Sequence, residues 1–222
     1  MSQIISQDIT QPIHIPQIDG SRLSSRDSLV LKAFRNDVWL PNTTGIEQKY
    51  CLVSRELLFQ ILMVEDISKS KLSQIDDITT RLNPKYQRID RLNNGREKVV
   101  INQVNVETEE TNIDNSCQSN KKSVYRLTLQ DKSGAIFYAI NTTNLPWLFV
   151  CMLGSKLIIN TGTQFIRGVF LLNDTNCIFL GGVNQIWNEN RELKLQEYLE
   201  AKLRRDSESR VSSNSKKRKA TQ

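Results

Sequence analysis

Between Val124 and Val183 the chain changes its hydrophobic period every few residues, and that pattern limits the folds open to it. Tyr125, Leu127 and Leu129 alternate with Arg126, Thr128 and Gln130, the mark of a half-buried strand. The stretch Asp131–Gly134 follows as a turn, because Asp bonds its own backbone and Gly accepts positive φ. The β-branched and aromatic run Ala135–Ile140 then completes a β-hairpin. After a connection punctuated by Pro146 come Lys156–Asn160, Arg167–Leu172 and Cys177–Leu180, separated or ended by Gly162, Gly168 and the pair Gly181, Gly182. Upstream, Leu57–Glu65 reads as a long buried strand, with a short buried helix left open by its composition. About five strands result, and a small, strongly bent sheet of that size closes most economically as an OB-type barrel. The expected fold is an all-β core with flanking helices, a single five-stranded OB-fold barrel. Leu171 is placed in its core.

The flanks differ from this region in composition. Residues 1–23 are polar, carry Pro12 and Pro16 and lack helical period, so a flexible arm is expected, with room for a segment along the barrel. Ser25 offers an N-cap for a helix over Arg26–Val38, ended by Pro41, with Trp39 and Leu40 sealing it to the barrel. Residues 50–56 read as a short turn or helix. Beyond the barrel, Ile186, Leu193, Leu195, Tyr198, Leu199 and Leu203 predict a helix over 184–205, with Asn184 as cap and Trp187 on the barrel end. The folded domain is thus residues 24–205, followed by a disordered basic tail, 206–222.

A long insertion separates the first two strands of the barrel. It runs from Ile67 to Ser123, about 57 residues where a minimal barrel needs a few. Its charge is polarised: basic residues dominate Lys69–Lys98, and Glu107–Asp114 holds only acidic ones. Leu72, Ile75, Ile78, Leu82, Ile89 and Leu92 are scattered apolar anchors that cannot form a core within the segment. Two readings stand: a solvated insertion, or a segment that orders on a partner through those anchors.

Net charge is +6, but ten of the 30 basic residues and five of the 24 acidic ones lie in 191–222, leaving 20 against 19 elsewhere. The basic character is a property of the tail, where Lys216, Lys217, Arg218 and Lys219 resemble a nuclear localisation patch or a phosphate contact. On the sheet, Arg126, Arg167, Phe137, Tyr138 and Phe165 are candidates for single-strand binding, with core packing as the competing role for the aromatics. Cys51, Cys117, Cys151 and Cys177 form no Cys-x-x-Cys, and His14 is the only histidine, so no metal site, cofactor or disulfide framework is expected. No nucleophile or phosphate-loop motif occurs, which points to a binding protein rather than an enzyme. No signal or membrane-spanning segment is apparent, and a reducing compartment, cytosol or nucleus, is expected.

Several blocks together carry a resemblance: Leu127–Asp131, Leu153–Ile158, Arg167–Leu172 and Leu180–Val183, preceded by Val38–Pro41 and Leu57–Ile67. In order and spacing, residues 37–204 are similar to the N-terminal OB domain of the RecQ-mediated genome instability protein 1 family. The resemblance implies a compact fungal-type member without a second OB domain or a helical N-terminal bundle. It implies a nuclear, non-catalytic subunit that binds a type IA topoisomerase, topoisomerase III, and a RecQ helicase. Such a complex dissolves double Holliday junctions, so DNA, single-stranded or junction, is a further partner. The insertion occupies the position of the family segment that reaches the topoisomerase gate. Lys156 matches a family lysine on the partner-binding side, as an exposed strand residue; a solvated strand-end lysine is the alternative. Arg167 is assigned with it to partner binding.

Overall fold

In a computed structural model of the protein, residues 3–15, 23–39, 50–83, 88–89, 100–101 and 123–218 are described, with side chains to Glu208. The chain divides into two compact units. One comprises 1–68 and 122–189, the other 69–121 and 190–222.

The first unit is a strongly curled mixed sheet. Its strands are β1 (Cys51–Leu52), β2 (Leu57–Asp66), β5 (Tyr125–Gln130), β6 (Ile136–Asn141), β7 (Lys156–Ile159), β8 (Gln164–Ile166), β9 (Val169–Leu172) and β10 (Cys177–Gly181). Their order is β1-β8-β9-β6-β5-β2-β7-β10. The sheet has eight strands where about five were expected: the six runs read from the sequence each form one, and two short strands, β1 and β8, escaped the period analysis. Cys51 and Leu52 pair with Phe165 and Gln164, a match between distant segments too short to show alternation. β6 and β9 run parallel, and the other pairs are antiparallel. The β5–β6 turn forms as its residues dictate: Asp131 Oδ1 accepts from Ser133 N, Ser133 Oγ and Ala135 N at 2.8, 2.6 and 3.0 Å.

Arg167 and Gly168 are not strand residues. They are the two-residue loop joining β8 to β9, with φ of 48° and 87°. Two positive φ values in such a loop match the right-handed twist of the flanking strands.

β2 and β7 are buried on both faces, which explains their continuous apolar runs. The inner face packs Leu57, Phe59, Ile61, Leu127, Leu129, Leu157, Ile159, Phe165, Phe170 and Leu172 around Trp39. Phe170 lies 4.6 Å from Phe165 and 5.4 Å from Phe59, centroid to centroid. Leu171 points the other way and is only half-buried, so the core positions of β9 are Phe170 and Leu172. Leu40 lies outside the described residues.

The outer face of β2 and β7 is covered by the chain's start. Helix α1 (Gln3–Ser6) and helix α2 (Ser25–Arg35) cover Leu58, Ile158 and Leu180 with Ile4, Ile5, Ile9, Val30 and Ala33. Ile4, Ile5 and Ile9 are therefore core residues, and the expected arm has a segment packed along the sheet, while Gln11, Pro12, His14 and Ile15 are exposed. The buried isoleucines supply the apolar area, and no helical period was needed to place it. The cap of α2 is Ser24, whose hydroxyl accepts from Asp27 N at 3.1 Å. Ile5 O lies 2.5 Å from where a Cβ on Gly182 would stand, so only glycine lets the segment lie this close.

In the second unit, α3 (Lys71–Leu82) contacts α5 (Arg191–Arg218). Ile78 is 2% exposed and Leu199 is buried. Lys71 pairs with Asp206, and Arg81 with Glu192 at 3.0 Å. The anchors of α3 form no core within the insertion: Ile78 is buried because the apolar partner of α3 comes from residues over a hundred positions later. Short strands β3 (Arg88–Ile89) and β4 (Val100–Ile101) pair antiparallel. The expected helix over 184–205 is two helices, α4 (Gln185–Asn188) and α5, broken at Asn190 with φ 53°. α5 runs to Arg218, so backbone expected to be disordered from 206 is helical, as an extension of the helix that starts at Arg191.

Candidate partner-binding surface

Lys156 occupies an unexpected place. It is 1% exposed and sits opposite Gln60 in the β2–β7 register. Its Nζ donates to Gly154 O at 2.7 Å and to Gln60 Oε1 at 3.3 Å. Gln60 in turn donates through Nε2 to Asp8 Oδ1 and Gln130 Oε1, at 2.8 and 2.9 Å, and its Oε1 accepts from Ile9 N. Burial pushes the Lys156 pKa down to about 8, against the pull of the Asp8 carboxylate. Burial also acts to raise the Asp8 pKa, but hydrogen bonds from Thr10 and Gln60 and the charge of Lys156 outweigh it and hold the carboxyl below its usual value. Lys156 is thus a clasp that ties the N-terminal segment to the sheet, and the reading of it as an exposed strand residue is corrected. Its stem follows β7, whose two faces are both covered, and a single-strand pattern could not reveal that second cover.

The remaining site residues are dispersed. Arg167 is exposed at the β8–β9 turn. Arg126 pairs with Glu65, and its guanidinium lies 5.7 Å from the ring centre of Tyr138, which is 44% exposed. Phe165 is core and Phe137 packs against it, so of the three sheet aromatics only Tyr138 is available as a platform. On α3, Leu72 is 63% exposed and Leu82 is exposed, while Ile75 is half-buried and Ile78 packs inside its unit. Ile89 lies in β3. Leu92 and Lys219 lie outside the described residues, and Lys216, Lys217 and Arg218 are described only as helical backbone.

Sequence reasoning missed one surface. After the single 3-10 turn Pro146–Leu148, Phe149 and Val150 are 66% and 69% exposed, and Met152 is exposed too. Phe149 meets the edge of Tyr125 at 6.0 Å, and Trp147 stacks on Phe179 at 4.7 Å. The residues of this surface belong to the apolar run Leu145–Leu153, whose composition does not tell which side chains face outward. Clustered exposed apolar side chains mark interaction surfaces.

The root of the insertion is fixed in the first unit. Asp66 pairs with Tyr125, and Ile67 N donates to Val124 O at 2.8 Å. The chain therefore leaves and re-enters the sheet at one point. Among the described residues no three His, Cys, Asp or Glu side chains group to hold a metal, and no helix is long and apolar enough to cross a membrane. Cys151 and Cys177 are buried free thiols, and burial together with Asp174 pushes Cys177 up to about 11.

The family model described as "RMI1, N-terminal OB-fold domain" matches residues 39–195. The chain belongs to the RMI1 family. It is also 48% identical to RecQ-mediated genome instability protein 1 of Saccharomyces cerevisiae, over 99% of this chain and 98% of that one. The RMI1 match starts at Trp39, the ring that closes the inner core, and spans every long strand of the sheet. It identifies the curled mixed sheet as an OB-fold domain and gives the chain a genome-maintenance role.

Proposed function

We propose that this RMI1-family chain is a non-catalytic, nuclear OB-fold subunit that binds and regulates a type IA topoisomerase III together with a RecQ helicase. It promotes decatenation and the dissolution of double Holliday junctions. The observation that carries this reading is the near full-length identity to a protein named for RecQ-mediated genome instability. The architecture supports it. A rigid sheet anchors a long insertion at one point, beside an exposed apolar surface at Phe149 and Val150. A partner that opens and closes is regulated only by a subunit with different affinity for its two states. An anchored sheet with a reaching insertion can provide that difference. Arg167, Leu72 and Leu82 remain its accessible candidate contacts, and Lys156 contributes by holding the sheet and the N-terminal segment together.

A second reading, an autonomous single-strand or junction binder, draws on Arg126 and Tyr138 and on the basic run Lys216–Lys219. It is the weaker one, because Arg126 is already paired with Glu65 and the sheet offers one exposed platform.

The test combines purified chain with topoisomerase III and RecQ helicase from the same organism. Complex formation, relaxation and decatenation are measured at rising salt. A stable complex whose formation changes little between about 50 and 200 mM salt is expected, since phosphate contacts would lose orders of magnitude in affinity over that range. Replacing residues 102–121 by a Gly/Ser linker leaves α3, β3 and β4 in sequence, and should lower decatenation more than binding. Absence of any complex, or steeply salt-dependent DNA binding as the only activity, overturns the proposal.

A further inference from the structure

Among the described residues β10 is an end strand of the sheet, bonded to β7 along one side. Its five residues, Cys177 to Gly181, include no charge and no proline, the usual guards of an edge. Ile178 on it is exposed. At its end an open groove of about 550 Å³ is lined by Ile5, Met152, Leu180 and Val183, with Ser6, Ser24 and Arg26 at the polar side. A Cβ placed on Gly181 would meet nothing within 4 Å, so the backbone itself faces open space there. Leu180 O points the same way, since it accepts from Arg26 Nη1 at a long 3.4 Å. Among the described residues Arg26 is the one ionised side chain lining this groove, and it is exposed.

We propose that the end of β10 and its groove bind a short extended acidic peptide of a partner protein, at a site that adjoins the exposed Phe149–Met152 surface. The three features of the groove specify this occupant. An edge backbone with an outward carbonyl recognises an extended chain by main-chain hydrogen bonds. The exposed Met152 and the half-buried Val183 take one or two aliphatic side chains. Arg26 exchanges its long bond to a neutral carbonyl for a shorter, charge-assisted one to a carboxylate. A second copy of this chain would bring its own Arg26 to the groove, and nucleic acid would face apolar walls.

A phage-displayed library of random heptapeptides is panned on the full chain and on Arg26→Glu and Met152→Arg variants. Both altered side chains are exposed, so folding is retained, and thermal melts check it. Enriched peptides should pair aliphatic residues with an Asp, a Glu or a free C-terminal carboxylate. Synthetic copies should bind Arg26→Glu at least about tenfold more weakly. In amide NMR spectra their shifts should centre on Leu180–Val183 and Ser24–Arg26, and Met152→Arg should reduce binding of the aliphatic part. No enrichment, enrichment without acidic preference, unchanged affinity for Arg26→Glu, or shifts centred elsewhere would each overturn the proposal. So would the same shifts produced by single-stranded DNA or by concentrating the chain alone.

Discussion

On the inner face of the sheet Phe59, Phe165 and Phe170 pack ring against ring; on the outer face Gln60 and Lys156 sit between Leu58 and Ile158 beneath the chain's first residues. Both faces are buried, yet they reach that state differently. The inner one excludes water with apolar volume alone. The outer one carries an amide bonded to Asp8 and Gln130 and an amine bonded to that amide and to the nearby Gly154 carbonyl. Apolar packing tolerates partial loss, whereas a buried polar network is costly once a partner is missing. The inner face therefore sets stability, and the outer face sets which segments must be present.

The largest expected effect tests the inner face. Phe170→Ala should cost about 3–5 kcal/mol, because the cavity lies among rings that cannot collapse into it. Leu171→Ala, one residue on and only half-buried, should cost well under half of that. Chemical denaturation of both variants measures the ratio, and equal losses would put the β9 register in error.

A smaller effect, specific to the outer face, is its dependence on pH. Lys156 titrates at about 8 when folded, against 10.5 for an unperturbed lysine. Between those values the unfolded chain holds more protons than the folded one, so stability rises with pH across that window. Below about pH 8 the burial penalty is constant. The gain should be about 2 kcal/mol by roughly pH 10. Lys156→Met keeps most of the volume without the charge, and its stability relative to the parent should fall across the same window. Denaturant midpoints at several pH values would show this, and parallel profiles would mean that the amine is not buried as a cation.

The smallest effect lies at the edge, away from both faces. Arg167 holds φ 48° in the two-residue β8–β9 loop. Arg167→Asn should stabilise by about 0.5–1 kcal/mol, because Asn tolerates that conformation and suits this loop. A lower melting temperature would reveal that the Arg167 side chain makes a compensating contact.

The same contrast explains what could be read from the sequence. The inner face follows from alternation within single strands, so Leu127, Leu129 and the Asp131 turn were legible at once. The family blocks at Leu153–Ile158 and Leu180–Val183 were legible too. The outer face depends on Ile4, Ile5 and Ile9 meeting strands more than fifty residues away, and no local period announces it. Lys156 was misread for that reason: a lysine in an apolar strand looks like a strand-end charge unless its second cover is known. Ile78 was misjudged in the same way, since its helix is completed by α5. Phe149 and Val150 failed differently. Their run was legible as apolar, but whether such a run faces inward or outward is decided by the turn at Pro146–Leu148.

The pairing of Ile67 with Val124 has an evolutionary consequence. The sheet holds the two ends of the insertion a single strand spacing apart, whatever lies between them. Loop-closure entropy grows only with the logarithm of length, so doubling the insertion would cost the fold about 0.6 kcal/mol. Lengthening or shortening it shifts no strand register and removes no inner-face side chain. Apart from α3, which is tied to α5, the segment between these two residues is thus free to change at the pace of whatever it touches, while the sheet that carries it stays the same.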